Sequence, residues 1–150
     1  MDLKKFIRSI PDYPKKGILF RDITTLIKDE KAFEETINQI VERSKKFNFN
    51  KVAAIESRGF VFASAVSYIL KKPFIMLRKK NKLPAETHSI DFELEYGTAT
   101  IEVHKDSINE NDSVLIIDDL IATGGTAEAA AKLVEMSKGN IAGFIFVISF

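Results

Sequence analysis

Two acidic residues followed by a glycine pair give the sequence its clearest chemical signal. In VLIIDDLIATGGT (114–126), an apolar run ends in Asp118 and Asp119, and two glycines between threonines follow. Glycine lets a ligand approach the main chain, threonine adds hydroxyl donors, and a following helix N-terminus favours an anion. The motif therefore predicts a phosphate site, although it is neither a Walker A nor a Rossmann motif. For the glycine pair alone, an ordinary strand-turn-helix connection is the alternative.

The paired carboxylates favour a ligand that carries a sugar as well as a phosphate. Carboxylates accept hydrogen bonds well from vicinal hydroxyls, whereas they repel a phosphate. A phosphorylated ribose would use both parts of the motif, with its phosphate at the glycine loop and its 2′- and 3′-hydroxyls at Asp118 and Asp119. Negative charge there could also stabilise an oxocarbenium-like sugar in a transition state.

Composition narrows the class of protein. The 150 residues, 45% of them hydrophobic, suit a single domain, 1–150, with a real core. The 22 basic and 21 acidic residues nearly balance, which argues against a dedicated nucleic-acid binder. There are no cysteines and hence no thiolate metal site. Neither a signal-peptide pattern nor an apolar run of membrane-spanning length occurs, so we expect a cytoplasmic protein with no membrane partner.

The elements that must position these groups follow from hydrophobic periodicity. Apolar residues at helical spacing predict helices over 30–47, 61–70 and 126–136. Short apolar runs predict strands over 52–55, 74–77, 114–117 and 141–150, and alternation over 92–104 predicts a hairpin. Residues 78–91 are polar and basic and show no hydrophobic periodicity, which predicts a long loop. The alternation of strands and helices indicates an α/β fold with a mostly parallel, twisted sheet flanked by helices, where ligands bind beyond the carboxyl ends of the strands.

The acidic and glycine motif resembles the phosphoribosyl pyrophosphate signature of the type I phosphoribosyltransferases. Further stretches are similar, in the same order, to the adenine phosphoribosyltransferases: PDYPKKGILFRDIT (11–24), ESRGF (56–60), RKKNKLP (78–84) and LEYGTATIEVHKD (94–106). This resemblance implies the type I phosphoribosyltransferase fold, with a small N-terminal base-binding hood over about 1–28 and a flexible lid loop over 78–92. It implies an enzyme that makes AMP and pyrophosphate from adenine and phosphoribosyl pyrophosphate. It also implies a homodimer and Mg²⁺ that is held mainly by the ligand's phosphates, without a protein metal cluster.

The resemblance assigns the phosphate-side residues. The 5-phosphate would be held by Ala122, Thr123, Gly124, Gly125 and Thr126. The pyrophosphate would be held by Ser57 and Arg58, in a loop with an unusual peptide conformation, and by the cations Arg78, Lys79 and Lys82. A surface arginine is the alternative for Arg58. A solvated charge run, or a weak nucleic-acid patch, is the alternative for the basic stretch.

The resemblance also assigns the base pocket and a proton-handling acid. Leu19, Phe20 and Arg21 would bind the purine, with Phe20 lying on the base, unless Phe20 is simply core. Glu95 would manage the proton at purine N7 if burial raises its pKa, unless it is a strand-face glutamate. With Asp118, Asp119 and Arg78, Glu95 completes the predicted catalytic set.

The sequence departs from the family pattern at three positions, and two other functions are alternatives. Ala85 stands where the family typically has glycine, and Ser149 and Phe150 stand where it commonly has glutamate and leucine. Family members usually continue beyond this point, so we expect lower stability and an open wall of the base pocket. The alternatives are a regulator that binds phosphoribosyl pyrophosphate without turnover and an enzyme for another purine such as xanthine.

Overall fold

The computed structural model describes residues 1–94, 97–121 and 125–149. They fall into two compact units, Met1–Glu42 and Arg43–Phe150. None of the helices in these ranges combines the length and the apolar composition that a membrane crossing requires.

The first unit contains the segment that was predicted to form the hood. A 3-10 helix, Leu3–Phe6, precedes an antiparallel pair of short strands, β1 (Arg8–Ile10) and β2 (Phe20–Asp22), and the short helix α1 (Thr24–Ile27) follows. Asp22 joins these elements, because its carboxylate accepts hydrogen bonds from Thr24 N at 2.9 Å and from Arg8 Nε at 3.0 Å. The Thr24 amide and then the Arg8 guanidinium lower the pKa of Asp22 to about 2. Helix α2, Glu30–Ser44, comes next in the chain.

The second unit is built on one six-stranded sheet. Its elements are β3 (Lys51–Ile55), α3 (Arg58–Leu70), β4 (Phe74–Lys79), β5 (Thr87–Leu94), β6 (Gly97–His104), β7 (Ser113–Ile121), α4 (Gly125–Met136) and β8 (Asn140–Ser149). The strand order is β5-β6-β4-β3-β7-β8. Strands β4, β3, β7 and β8 are parallel neighbours, and the antiparallel β5–β6 hairpin extends the sheet beyond β4. The predicted α/β fold with a mostly parallel sheet and a hairpin is therefore confirmed.

The core lies where the sheet meets helix α4. Its fully buried side chains come from the sheet and from the apolar side of the helix, and they include Leu77, Val103, Val114 and Leu133. Since β3, β4 and β7 run in the same direction, their carboxyl ends meet at one edge of the sheet. This edge therefore carries residues 56–58, the basic residues that end β4, and the acidic residues of β7.

The prediction of a continuous loop over 78–92 is wrong at both ends. Strand β4 continues to Lys79 and β5 begins at Thr87, so only residues 80–86 connect them. The sequence hides β5 because only Ile90 and Phe92 pack from it against the core, whereas Asp91 points to solvent. Pairing with β6 along its whole length stabilises this otherwise polar strand. Helix α3 likewise begins before the predicted residue 61, and β7 continues past Asp118 and Asp119 to Ile121.

Candidate active site

The paired acids form a buried carboxylate pair near the carboxyl end of β7. Asp118 and Asp119 are only 8% and 6% exposed. The Asp119 backbone N–H donates to Asp118 Oδ1 at 2.8 Å, and Arg58 Nε lies 2.9 Å from Asp119 Oδ2. Burial, together with the hydrogen bond and the negative charge of Asp119, raises the pKa of Asp118 to about 8, although Arg58 opposes the shift. The raised pKa favours the protonated form of Asp118, whereas Asp119 is ion-paired with Arg58.

One oxygen of this pair receives no hydrogen bond from the described part of the chain. Asp119 Oδ2 is buried, and no hydrogen bond reaches it from the residues that the structure describes, although Arg58 lies within ion-pairing distance. Buried polar atoms without a partner are uncommon in folded proteins and call for an explanation. A ligand hydroxyl is a donor of the right chemistry for this oxygen.

Gly59 allows helix α3 to reach the carboxylate pair, a role that was not predicted from the sequence. A Cβ atom on Gly59 would lie 2.9 Å from Asp118 Oδ1 and 3.4 Å from the Ile117 carbonyl oxygen. The helix can therefore approach β7 this closely only because residue 59 has no side chain. The glycine in the ESRGF motif could have suggested a close approach of the main chain. Only the fold shows that the neighbouring group is Asp118.

Ser57 and Arg58 lie at the start of α3, next to β7. The peptide bond between Glu56 and Ser57 is cis. The Ser57 side chain makes no capping hydrogen bond to α3. The structure brings Arg58 together with another predicted site residue, since it forms an ion pair with Asp119.

Glu56 connects the segment before α3 to the basic residues at the end of β4. The sequence did not predict this role. Its Oε1 accepts hydrogen bonds from Lys79 N at 2.7 Å and from Arg78 Nε at 3.2 Å. Burial raises the pKa of Glu56, but the Lys79 amide and the Arg78 guanidinium outweigh it, so the net pKa is lowered. Arg78 is thus held half-buried against the end of β3, whereas Lys79 and Lys82 are exposed. The two residues are 23 positions apart in the sequence, so no local pattern could have predicted this contact.

The predicted base-binding residues lie together in the first unit. Phe20 and Arg21 belong to β2, and Leu19 directly precedes this strand with half of its surface exposed. The Phe20 ring meets Tyr13 edge-on, with their centroids 5.1 Å apart. Arg21 Nη1 donates to Ser9 Oγ across the strand pair. Phe20 remains partly exposed, so it is not a fully buried core residue.

Comparisons with known proteins decide the family. A family model described as phosphoribosyl transferase domain matches residues 23–149. An adenine phosphoribosyltransferase of Pelagibacter ubique is 83% identical over 149 residues, which are 99% of this chain and 85% of the relative. The chain belongs to the adenine phosphoribosyltransferase family.

Solved structures of adenine phosphoribosyltransferases share the fold. The enzyme of Thermoanaerobacter pseudethanolicus superposes with a TM-score of 0.93 at 43% identity, covering 99% of this chain and 98% of that one. The Saccharomyces cerevisiae enzyme, crystallised with adenine and an imino-altritol bisphosphate, gives a TM-score of 0.92 at 33% identity. That match covers 99% of this chain and 87% of that one.

Several predicted residues of this adenine phosphoribosyltransferase site lie outside the described residues: Glu95, Ala122, Thr123 and Gly124. Of the predicted 5-phosphate loop, Gly125 and Thr126 are described, and they form the first turn of α4. The unpaired N–H groups of such a turn suit an anion. Within the described ranges, no group of three or more acidic or histidine side chains converges as a metal site would require. One or two carboxylates together with ligand phosphates are a usual set for Mg²⁺. Because Arg58 pairs with Asp119 and the pKa of Asp118 favours its protonated form, the phosphates of the ligand would supply most of the contacts to the metal.

Proposed function

We propose that the protein transfers the 5-phosphoribosyl group from phosphoribosyl pyrophosphate to adenine, giving AMP and pyrophosphate in purine salvage. The observation that carries this glycosyltransferase function is the buried carboxylate pair on β7, followed closely by the N-terminus of α4. It occurs in a chain that is 83% identical to an adenine phosphoribosyltransferase. The relatives described above favour neither a non-catalytic regulator nor an enzyme for another purine.

The carboxylate pair would hold the ribose. Asp119 Oδ2 lacks a hydrogen bond from the described residues and accepts one ribose hydroxyl, and Asp118 contacts the neighbouring hydroxyl. The reacting sugar becomes positive as its bond to pyrophosphate breaks, before the bond to adenine forms. Negative charge in a buried place stabilises that positive charge. The 5-phosphate binds at Ala122, Thr123, Gly124, Gly125 and Thr126.

Cations at the same edge of the sheet would receive the pyrophosphate. Arg58 starts α3, and Arg78 and Lys79 end β4 with their positions set by Glu56. Ser57 and Lys82 complete the set. Positive charge near the leaving oxygens stabilises them as the bond breaks. Residues 80–86 act as the lid that excludes water from the reacting sugar.

Leu19, Phe20 and Arg21 would bind adenine. Phe20 lies on the base, and main-chain groups of the two neighbours recognise its edge. The exocyclic amine of adenine is a hydrogen-bond donor where oxopurines carry an acceptor, so a site built for one rejects the other. Glu95 handles the proton at purine N7. Residues 1–28 are the hood of a single phosphoribosyltransferase domain, 1–150.

The proposal also includes Mg²⁺, a homodimer and a cytoplasmic location. Mg²⁺ enters with the phosphates of the ligand and supplies positive charge to them. The protein is a homodimer in the cytoplasm. Helix α3 supports the dimer, since it exposes Val61, Tyr68 and Ile69, and Tyr68 is 86% exposed. Apolar surface of this kind is typical of contacts between protein chains.

The decisive experiment is an assay for AMP formation. Purified protein is given phosphoribosyl pyrophosphate and Mg²⁺ with adenine, and hypoxanthine, guanine and xanthine run in parallel. We expect turnover with adenine only. Binding of phosphoribosyl pyrophosphate without turnover on any base would instead indicate a regulator, and turnover with an oxopurine would refute the base assignment.

A further inference from the structure

Glu102 is a buried carboxylate to which the proposed reaction gives no role. It lies on β6 and is only 9% exposed. Its Oε1 accepts a hydrogen bond from the Asn81 backbone N–H at 2.9 Å. Its Oε2 accepts from Thr87 Oγ1 at 3.1 Å and from Ser89 Oγ at 2.5 Å. The hydrogen bonds from Ser89 and then from Asn81 lower the pKa of Glu102 despite its burial, so it remains charged.

These bonds fix the connection between β4 and β5. Asn81 has a left-handed backbone with φ of 67°, and this turn redirects the chain after β4. One oxygen of Glu102 holds the turn, and the other holds the first residues of β5. At the far end of the connection, the Ala85 N–H donates to His104 Nε2 at 3.2 Å. Strand β6 therefore anchors residues 80–86 at both ends.

Exposed cations lie on the anchored segment and directly before it. Lys79, Lys80 and Lys82 are all exposed and close together in the chain. Like charges at this spacing repel one another, so the segment would spread apart without a counter-charge. The positive charge of Lys80 is also among the causes that lower the pKa of Glu102, which places the two groups near each other.

We propose that Glu102 is a positioning residue for pyrophosphate: it holds the Asn81 turn so that Lys79 and Lys82 face the leaving group. The inference rests on the proposed role of those lysines. Glu102 touches no ligand in this scheme and acts through the main chain of the turn. The expected consequence of its loss is a looser basic segment and weaker binding of pyrophosphate.

Asp112 provides a matched control. It is also a buried carboxylate, 8% exposed, and it accepts from Asn109 N at 2.7 Å and Asn50 Nδ2 at 2.8 Å. Lys51 Nζ lies 2.7 Å from it. However, it precedes the first residue of β7, at the edge of the sheet opposite the carboxyl ends. A general loss of a buried charge would appear in both variants, whereas a positioning effect would appear only at Glu102.

The test compares Glu102→Gln with Asp112→Asn. Glutamine keeps the size and one acceptor oxygen but removes the charge. Without ligand, we expect trypsin to cleave after Lys80 and Lys82 about fivefold faster in Glu102→Gln, because a hydrogen bond to a charged acceptor is weakened. The Kd for magnesium pyrophosphate by calorimetry, and the KM for phosphoribosyl pyrophosphate, should rise by a similar factor, with kcat within about twofold. Asp112→Asn should change neither cleavage nor binding.

Wild-type cleavage and wild-type pyrophosphate affinity in Glu102→Gln would overturn the inference, as would equal changes in Asp112→Asn. If Glu102→Gln does not fold, Glu102→Asp, which keeps the charge but shortens the side chain and withdraws it from the Asn81 N–H, should give the same changes. The absence of these changes would then overturn the inference.

The proposed function can fail separately. If the wild-type protein makes no AMP but pyrophosphate affinity falls in Glu102→Gln, the inference stands and the proposed reaction is refuted. If the wild-type protein binds no pyrophosphate, both the inference and the proposed reaction are refuted.

Discussion

Replacing Gly59 with alanine tests whether the spacing between α3 and β7 sets the activity. The added Cβ would lie 2.9 Å from Asp118 Oδ1, whereas ordinary contacts begin near 3.4 Å, so the carboxylate or the helix must move by about 0.5 Å. A misplacement of about 1 Å can cost roughly a hundredfold in rate, which suggests a loss of about tenfold in kcat/KM.

The stability of this variant should change much less than its activity. Overpacking costs about 1–3 kcal/mol. Alanine in a helix recovers up to about 1 kcal/mol relative to glycine, although less in a first turn. The net loss of about 1–2 kcal/mol lowers the thermal midpoint of a chain of this size by about 2–8 °C. Steady-state kinetics well below that midpoint would therefore report on the site and not on unfolding.

Gly143→Ala is the control for this experiment. A Cβ on Gly143 would lie 2.3 Å from the Phe47 ring, so this variant also overpacks the protein. Gly143 pairs with Leu115 on β7, at a distance along the strand from Asp118. We expect a lower thermal midpoint and an unchanged kcat/KM. The reasoning would be refuted if Gly59→Ala kept wild-type kcat/KM, or if both variants lost activity equally.

Three further predictions concern charged groups. Asp118→Asn with Asp119→Asn should nearly abolish AMP formation while the thermal midpoint stays within a few degrees; retained turnover would exclude the ribose assignment. Asp119→Asn alone removes a hydrogen bond and a charge that raise the pKa of Asp118, so NMR titration of its carboxyl carbon should place that pKa below the wild-type value of about 8. Asp22 has a folded-state pKa of about 2, below its usual 3.8. Its contribution to the free energy of unfolding is therefore complete above about pH 5 and is lost progressively as the pH falls through 2. Melting curves against pH should show that loss in the wild type and a weaker one in Asp22→Asn.

Features encoded locally were predictable from the sequence. The short apolar runs located the parallel strands, and the acidic pair at the end of one run marked the two buried carboxylates that the proposal assigns to the ribose. Both signals involve neighbours in the chain, and the carboxyl ends of parallel strands then bring them to one edge.

Features that depend on tertiary neighbours were not predictable. Glu56 receives the Lys79 amide from the adjacent strand, and Glu102 receives the Asn81 amide from a turn 21 residues away. A glutamate in a sequence gives no sign of which distant N–H it will accept. The polar strand β5 was missed for a related reason, since it pairs with β6 along its whole length but packs only two of its residues, Ile90 and Phe92, against the core.

The carboxylate pair also determines how the pocket meets an anion. The raised pKa of Asp118 favours a state in which the two side chains carry a single negative charge, beside the Arg58 guanidinium. An incoming donor with several phosphate charges then meets a nearly neutral surface instead of a doubly negative one. Positive charge near Asp118 lowers its pKa and favours transfer of its proton to solvent, which leaves a second negative charge beside the sugar. Proton release to solvent on ligand binding would make the heat of binding depend on the ionisation enthalpy of the buffer, so calorimetry in two buffers shows whether the proton leaves when the ligand binds.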